Sequence, residues 1–363
     1  MSIYWAIFLL PVLATVLSIR TSGALKKLIW ASWAAVLVVF IGCRFQIGGD
    51  WANYLEHYQR IRSDGISAVL ITRGIGYGLF NWCIAKLGVG FYGVNILSAS
   101  ILVFGLTRFC WKLPIPWLGF VVSIPYLITV VGMGYTRQSI ALGFLLLALG
   151  YIENGRYKKF VGLVLAGGLF HESVLVMLGL PLLVARGEIY MYVREELFNK
   201  PTSGRSKLII VLGSLGVVAL FLAVTYKLVG SFWEYYIVRD QWASSGGKIR
   251  SLMNAVPAAI LLIGRAKLFP SGPRESEVWR SLSYGAIISI FLVFYFSTAI
   301  DRLSIYLLPL QIYVWSHFPL RWRDPALRTF FAIGISAAYA LVFYVWLNYA
   351  EHAYHWVPYE SIF

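Results

Sequence analysis

Six polar clusters interrupt otherwise apolar stretches, and they hold most of the side chains able to grip an anion or move a proton. They are Arg44 with Gly48, Gly49 and Asp50; Arg137 with Gln138; His171 with Glu172; Arg239 with Asp240; Asp301 with Arg302; and the terminal Pro358-Tyr359-Glu360. Arginine presents a planar fork that matches phosphate oxygens, and histidine titrates near neutrality, so the pairing suggests phosphate binding joined to acid-base work. Arg137 opens a helix whose next fifteen or so residues are almost wholly apolar, so its guanidinium must snorkel, pair or face a wet cavity. Gly132 and Gly134 before it leave helix-start N–H groups accessible, which beside a guanidinium makes an anion site. His171 stands between two apolar runs of about a dozen residues each, too short to cross an undistorted bilayer. The turn between them is therefore expected to lie recessed in an outward funnel, where His171 is either a hydrogen-bonded structural residue or a titrating base. Asp50 heads a helix with one apolar stripe (Trp51, Leu55, Tyr58) and one polar stripe (Asn53, Tyr54, His57), so it either caps that helix or serves binding or proton transfer. Asp301 and Arg302 fall where two apolar runs meet in a tight hairpin, with a local ion pair as the plainer reading. The aromatic loop 230–250, with Arg239, Lys248 and Arg250, suits stacking on sugar faces and interfacial anchoring equally well.

The elements that position these clusters must cross a membrane. The 363 residues are 59% apolar and 13% charged, with a mean hydropathy of +0.73, which leaves too little polar surface for a soluble chain, a disordered scaffold or a nucleic-acid-binding arm. Apolar runs fall at 1–19, 28–43, 91–110, 115–132, 136–152, 208–229, 281–299, 302–318 and 329–348, with a shorter one at 251–264 and a pair within 159–185. The expectation is an all-α polytopic protein of about 12 transmembrane helices forming one integral membrane domain over 1–363. The Gly-rich stretch 74–88 is read as re-entrant or interfacial, within an outer-face segment 44–90, because a full crossing would place the later basic loops outside. With both termini outside, the cytoplasmic loops, including 186–207 and 265–280, carry most of the net charge of +15. The basic balance is then a topology signal that calls for no nucleic-acid partner, and all six polar clusters converge on the outer face.

Cys43, Cys83 and Cys110 lie in or beside apolar runs without ligand spacing, and read as small core residues. His317 reads as structural, His352 and His355 make a weak metal signal, and the scattered outer acids make no site for Mg or Mn. No metal and no cofactor is expected. Several arginines, a carboxylate and a histidine around an outward funnel fit an amphiphilic anion whose tail stays in lipid, such as a lipid-linked phosphate or pyrophosphate.

The order GGDWANY, YTRQSIALGFLLLALGYIENGRYKKF, LAGGLFHESVLVML, DRLSIYLLPL and VPYESIF, from about residue 40 to the end, resembles the EpsG-type branch of Wzy-like polysaccharide polymerases. The segment TRGIGYGLF at 72–80 departs from the family, which more often has an acidic residue before the glycine. The resemblance implies a GT-C-like membrane fold and a bacterial inner-membrane enzyme that joins polyprenyl-pyrophosphate-linked oligosaccharide repeats at the periplasmic face. It implies Arg137 and Arg302 as pyrophosphate ligands, with Arg44 and Arg239 as further candidates. His171 becomes the acid-base residue, Asp50 the second choice, and Gln138, Asp301, Glu172 and Tyr359 weaker substrate contacts. The expected partners are the lipid-linked oligosaccharide, membrane lipid and other assembly proteins such as a flippase or a chain-length regulator. A flippase is the rival from another class, but it would call for internal repeats or basic groups reachable from both sides, and neither is evident. A ligase using a different acceptor would use the same funnel. An O-acyltransferase would leave the arginines unexplained, and a purely structural assembly protein would not need a recessed histidine.

Overall fold

The computed structural model describes residues 1–17, 22–71, 74–195, 246–268 and 272–363, together with the isolated positions 212, 216 and 226. Among them the chain is helical, and its one β feature is an isolated antiparallel bridge between Arg44 and Ser361. Three helices are long and apolar enough to cross a membrane: α2 (Gly23–Gly42), α6 (Phe91–Cys110) and α16 (Pro325–Tyr349). Shorter apolar helices flank them: α1 (Ser2–Val16), α7 (Pro116–Ser123), which continues as a π-helix to Gly132, and α8 (Thr136–Ile152). A chain so apolar satisfies its backbone within helices because lipid offers no hydrogen bonds.

α6 and α8 form the central pair. Gly105 and Gly143 let them meet backbone to backbone, since a Cβ on Gly105 would strike the Gly143 carbonyl. Close approach through small residues is how membrane helices gain packing when burial of apolar surface contributes little. At one end of the bundle lies an aromatic cluster of Trp30, Trp33, Trp111, Trp117 and Phe120, with Lys26 Nζ 4.2 Å from the Trp111 ring. Both chain termini meet at the other end, where the Tyr4 hydroxyl donates to the Trp356 carbonyl at 2.6 Å. There the tail pairs with the segment after α2, through Phe45 N to Glu360 O at 2.9 Å and Ile362 N to Cys43 O at 3.1 Å.

Between α2 and α6 the chain builds a small subassembly: α3 (Trp51–Asp64), α4 (Ile66–Ile71) and α5 (Ile75–Lys86). The twelve residues of α5 would span about 18 Å as a helix, well short of a bilayer core of about 30 Å. The 159–185 tract divides as expected into α9 (Tyr157–Gly168), a 3₁₀ turn (Glu172–Gly179) and α10 (Leu180–Val184), followed by α11 (Arg186–Arg194), with His171 at the break.

Several boundaries differ from expectation. The run at 251–264 is a longer helix, α12 (Gly247–Leu268), that takes in the end of the supposed 230–250 loop. The supposed 265–280 loop is mostly helix, because α13 spans Pro273–Leu292, with Pro273 in its first turn and Glu275 near its N-terminus, a favourable start that composition alone reads as loop. Likewise 186–207 opens with α11. Asp301 and Arg302 do not sit in a hairpin: the chain breaks earlier, and both lie in α14 (Ser297–Ser304), a one-sided polar helix that a 3₁₀ turn joins to α15 (Leu308–His317). The 208–229 run lies outside the described residues apart from the three isolated positions.

Candidate active site

Arg137 stands in the first turn of α8 and ties three elements together. Its Nε donates to the Phe170 carbonyl at 3.1 Å, immediately before His171. Its guanidinium lies 6.0 Å from the Tyr77 ring centroid of α5 and presses against Gly74, where a Cβ would collide with Nη2. Gly74 has φ +80°, so this backbone position favours glycine both for its conformation and for the approach of the cation.

His171 completes a ring of three hydrogen-bonding groups. Its Nδ1 lies 2.6 Å from Ser173 Oγ and 3.3 Å from the Tyr306 hydroxyl, and those two oxygens are 3.0 Å apart. The residue sits between α9 and the following 3₁₀ turn, outside both helical runs. Burial first, and then the positive fields of Arg137 and Arg302, push the imidazole pKa below its ordinary value and keep the ring neutral. If Nδ1–H donates to Ser173, the Nε2 lone pair is left to accept a proton.

Arg302 lies over the Tyr135 ring at 4.2 Å, and its carbonyl accepts from the Gln138 amide at 2.9 Å. Gln138 is buried, so in place of a substrate contact it joins α14 to the start of α8. Asp301 pairs with Arg250 rather than with its neighbour Arg302: the Arg250 fork meets both carboxylate oxygens. The Arg250 guanidinium also lies 5.2 Å from the Tyr126 ring. Removing one partner takes the bidentate fork from a largely buried charge, and breaking such a pair costs about 3–5 kcal/mol, whereas an apolar pair is far better tolerated. Arg250→Ala is therefore expected to lower the thermal midpoint sharply, with the double variant Arg250→Met, Asp301→Leu recovering much of the loss; equal losses in the two would show that the pair is not coupled.

A cavity of about 690 Å³ opens beside Arg137, bordered by Asp50, Tyr54, His57, Arg60, Asp64 and Tyr77 among others. Asp50 occupies the cap position of α3, yet its side chain makes no capping bond, so the capping reading fails and its carboxylate borders the cavity. His57 stacks on Tyr77 (5.6 Å, 17°), and neither His57 Nε2 nor the Tyr77 hydroxyl has a hydrogen-bond partner among the described residues. His171 and Arg302 are not part of the cavity lining; they stand behind Arg137, on the side of the 3₁₀ turn and α14.

Two expected ligands have other work. Arg44 is 1% exposed, and its three nitrogens donate to the Ile47 and Ile41 carbonyls and to Thr136 Oγ1. It closes the end of α2 onto the start of α8, with two donors on backbone carbonyls and one on the Thr136 hydroxyl. Tyr359 stacks on Phe40 (5.1 Å, 19°) and donates to the Phe40 carbonyl at 2.9 Å, which anchors the tail. Gly134 likewise serves packing, because a Cβ there would meet the Trp356 indole; that indole donates to the Thr129 carbonyl in the π-helix at 3.0 Å. Glu172 is exposed, and Arg239 lies outside the described residues. Sequence reasoning passed over Tyr306, and read Arg250 as part of an aromatic loop suited to sugar stacking or interfacial anchoring rather than as the partner of Asp301. Tyr306 follows Arg302 by four residues, a same-face spacing, and Arg250 opens an apolar helix much as Arg137 does.

No curated protein and no solved structure matches the chain. A family model does match, over residues 27–361, and on that near-complete coverage the protein belongs to the EpsG family, a family of Wzy-like polysaccharide polymerases.

Proposed function

We propose that the chain polymerises polyprenyl-pyrophosphate-linked oligosaccharide repeats at the outward face of a bacterial inner membrane, without a metal ion. One observation carries this reading: Arg137, Arg302 and the His171–Ser173–Tyr306 ring gather at one end of the bundle, beside a polar cavity. The fuller arrangement of about 12 spans in a GT-C-like fold, with both termini outside, belongs to the same proposal.

In this scheme Arg137 and Arg302 hold the donor pyrophosphate and neutralise the charge that grows on it as it leaves. The cavity beside Arg137, with Tyr54, Tyr77, His57 and Asp50 on its wall, takes sugar of the acceptor repeat, since sugars bind through ring stacking and many short polar contacts. A hydroxyl oxygen at the acceptor's non-reducing end attacks the anomeric carbon of the donor glycan, and the bond from that carbon to the pyrophosphate oxygen breaks with its electron pair. The hydroxyl proton passes to His171 Nε2, and polyprenyl pyrophosphate departs. Asp50 is the second choice for the base. Arg239 remains a proposed further phosphate contact, and Arg44 is withdrawn from that role.

Purified protein given only lipid-linked repeat units, in the presence of chelator, is expected to produce a ladder of longer glycans. Products that appear only when a divalent metal is restored would remove the arginine-based scheme. Transport of the lipid-linked unit across a vesicle membrane without ladder formation would replace polymerisation with flipping.

A further inference from the structure

A second polar cavity, of about 380 Å³, lies at the end of the bundle away from Arg137. Arg137 and Glu153 mark the two ends of α8, sixteen residues apart, or about 24 Å along a helix. Arg108 and Lys112 come from the end of α6, Glu153 and Arg156 from just past α8, and Glu275 from the start of α13. Below them the wall turns apolar, with Phe109, Leu113 and Leu146.

Among the described residues, Arg108, Lys112 and Arg156 make no ion pair with any carboxylate within 4.0 Å. Among the described residues, the two acids take hydrogen bonds from Trp279 Nε1 (to Glu153, 3.1 Å) and from the Tyr313 hydroxyl (to Glu275, 2.9 Å). Burial, and then the neighbouring Glu275, push the Glu153 carboxyl up to about 7, against the weaker opposing pull of Lys112 and the Trp279 hydrogen bond. Gly150 makes room for one of the cations, because a Cβ there would run into Lys112 Nζ. A cationic rim and two half-buried carboxylates around one space, above apolar walls, complement a ligand that carries both signs a few ångströms apart and an apolar continuation.

We propose that this cavity binds a phosphate ester bearing a primary ammonium, its phosphate against Arg108, Lys112 and Arg156 and its ammonium between Glu153 and Glu275. The chemistry is that of phosphoethanolamine, whether as a phospholipid headgroup from the adjoining leaflet or as the free ester. The site lies at the end of α8 opposite the proposed active site and does not rest on the polymerase reading.

The test uses the full chain in detergent, supplied with phosphatidylethanolamine, phosphatidylcholine or phosphatidylglycerol, with bound lipid counted by native mass spectrometry. Phosphatidylethanolamine is expected to be retained about tenfold better than phosphatidylglycerol, which lacks the ammonium, and better than phosphatidylcholine, whose ammonium has no N–H to donate. Glu153→Gln should bring that preference down to about twofold or less, whereas Lys112→Met, which loses a phosphate contact common to all three lipids, should lower the retention of each. Gly150→Ala serves if Lys112→Met does not yield monodisperse protein, since it displaces the ammonium without deleting it. Soluble O-phosphoethanolamine that displaces the lipid at millimolar concentration would identify the free ester as the ligand; lipid retention that resists it would identify the phospholipid. Equal retention of the ethanolamine and glycerol lipids, or an intact preference in Glu153→Gln, would overturn the proposal.

Discussion

Arg137→Ala is expected to remove ladder formation, with a fall of at least about 10²- to 10³-fold in turnover, the scale seen when one preorganised donor to a developing anion is deleted. The reason lies in its setting. The guanidinium is held by the Phe170 carbonyl at one nitrogen and lies over the Tyr77 ring, with Nη2 in the space that a Cβ on Gly74 would fill, so its fork is oriented before substrate arrives. Arg137→Lys keeps the charge but cannot reproduce the fork, and only partial recovery is expected. Gly74→Ala supplies an independent check. It leaves Arg137 in the sequence but drives a methyl group into Nη2 at a backbone position with φ +80°, so it should lower turnover with the arginine still present. Each variant is to be compared by size-exclusion profile first, because the Arg137–Phe170 bond also joins α8 to the 171 turn. Monodisperse Arg137→Ala protein that still forms normal ladders would remove the phosphate-binding role.

His171→Gln should lower turnover by about 10²- to 10⁴-fold, the range for loss of a positioned general base. Glutamine keeps hydrogen-bonding capacity toward Ser173 and Tyr306 while giving up the proton acceptor. The pH dependence separates a base from a scaffold. Burial and the fields of Arg137 and Arg302 lower the imidazole pKa, so the basic form persists below the ordinary value of about 6.5 and the acid limb of the rate profile should lie below that pH. Arg302→Gln removes one of the two fields, so in its residual activity the acid limb should move upward. Tyr306→Phe and Ser173→Ala, which reach the chemistry only through Nδ1, should reduce turnover less than His171→Gln. Normal ladders from both His171→Gln and His171→Ala would pass the role of base to Asp50.

Much of the helical outline follows from composition and period. The runs 91–110 and 136–152 coincide with α6 and α8, and the break at His171 falls where two short apolar segments meet. Lipid imposes this, because a backbone without water must bond within its own segment, and residues a few positions apart decide whether it does. Elements with a polar first turn are harder to place. The amphipathic start of α13 reads as loop and α14 reads as the ends of two apolar runs with a hairpin between them, since their polar faces find partners on other helices that no local window contains.

What this sequence determines by itself is a helical membrane protein and the choice of residues with chemical potential, because both depend on residue type and short-range spacing. Which of them act together is decided by tertiary structure alone. In sequence, Arg44, Arg137, Arg250 and Arg302 look alike: single guanidinium groups at the edges of apolar runs. In the folded chain Arg44 is closed off by backbone carbonyls, Arg250 is matched to Asp301 some fifty residues away, and Arg137 and Arg302 stand at the turn that carries His171. A charge within a membrane protein takes its role from what lies opposite it, and what lies opposite is set by how the helices pack.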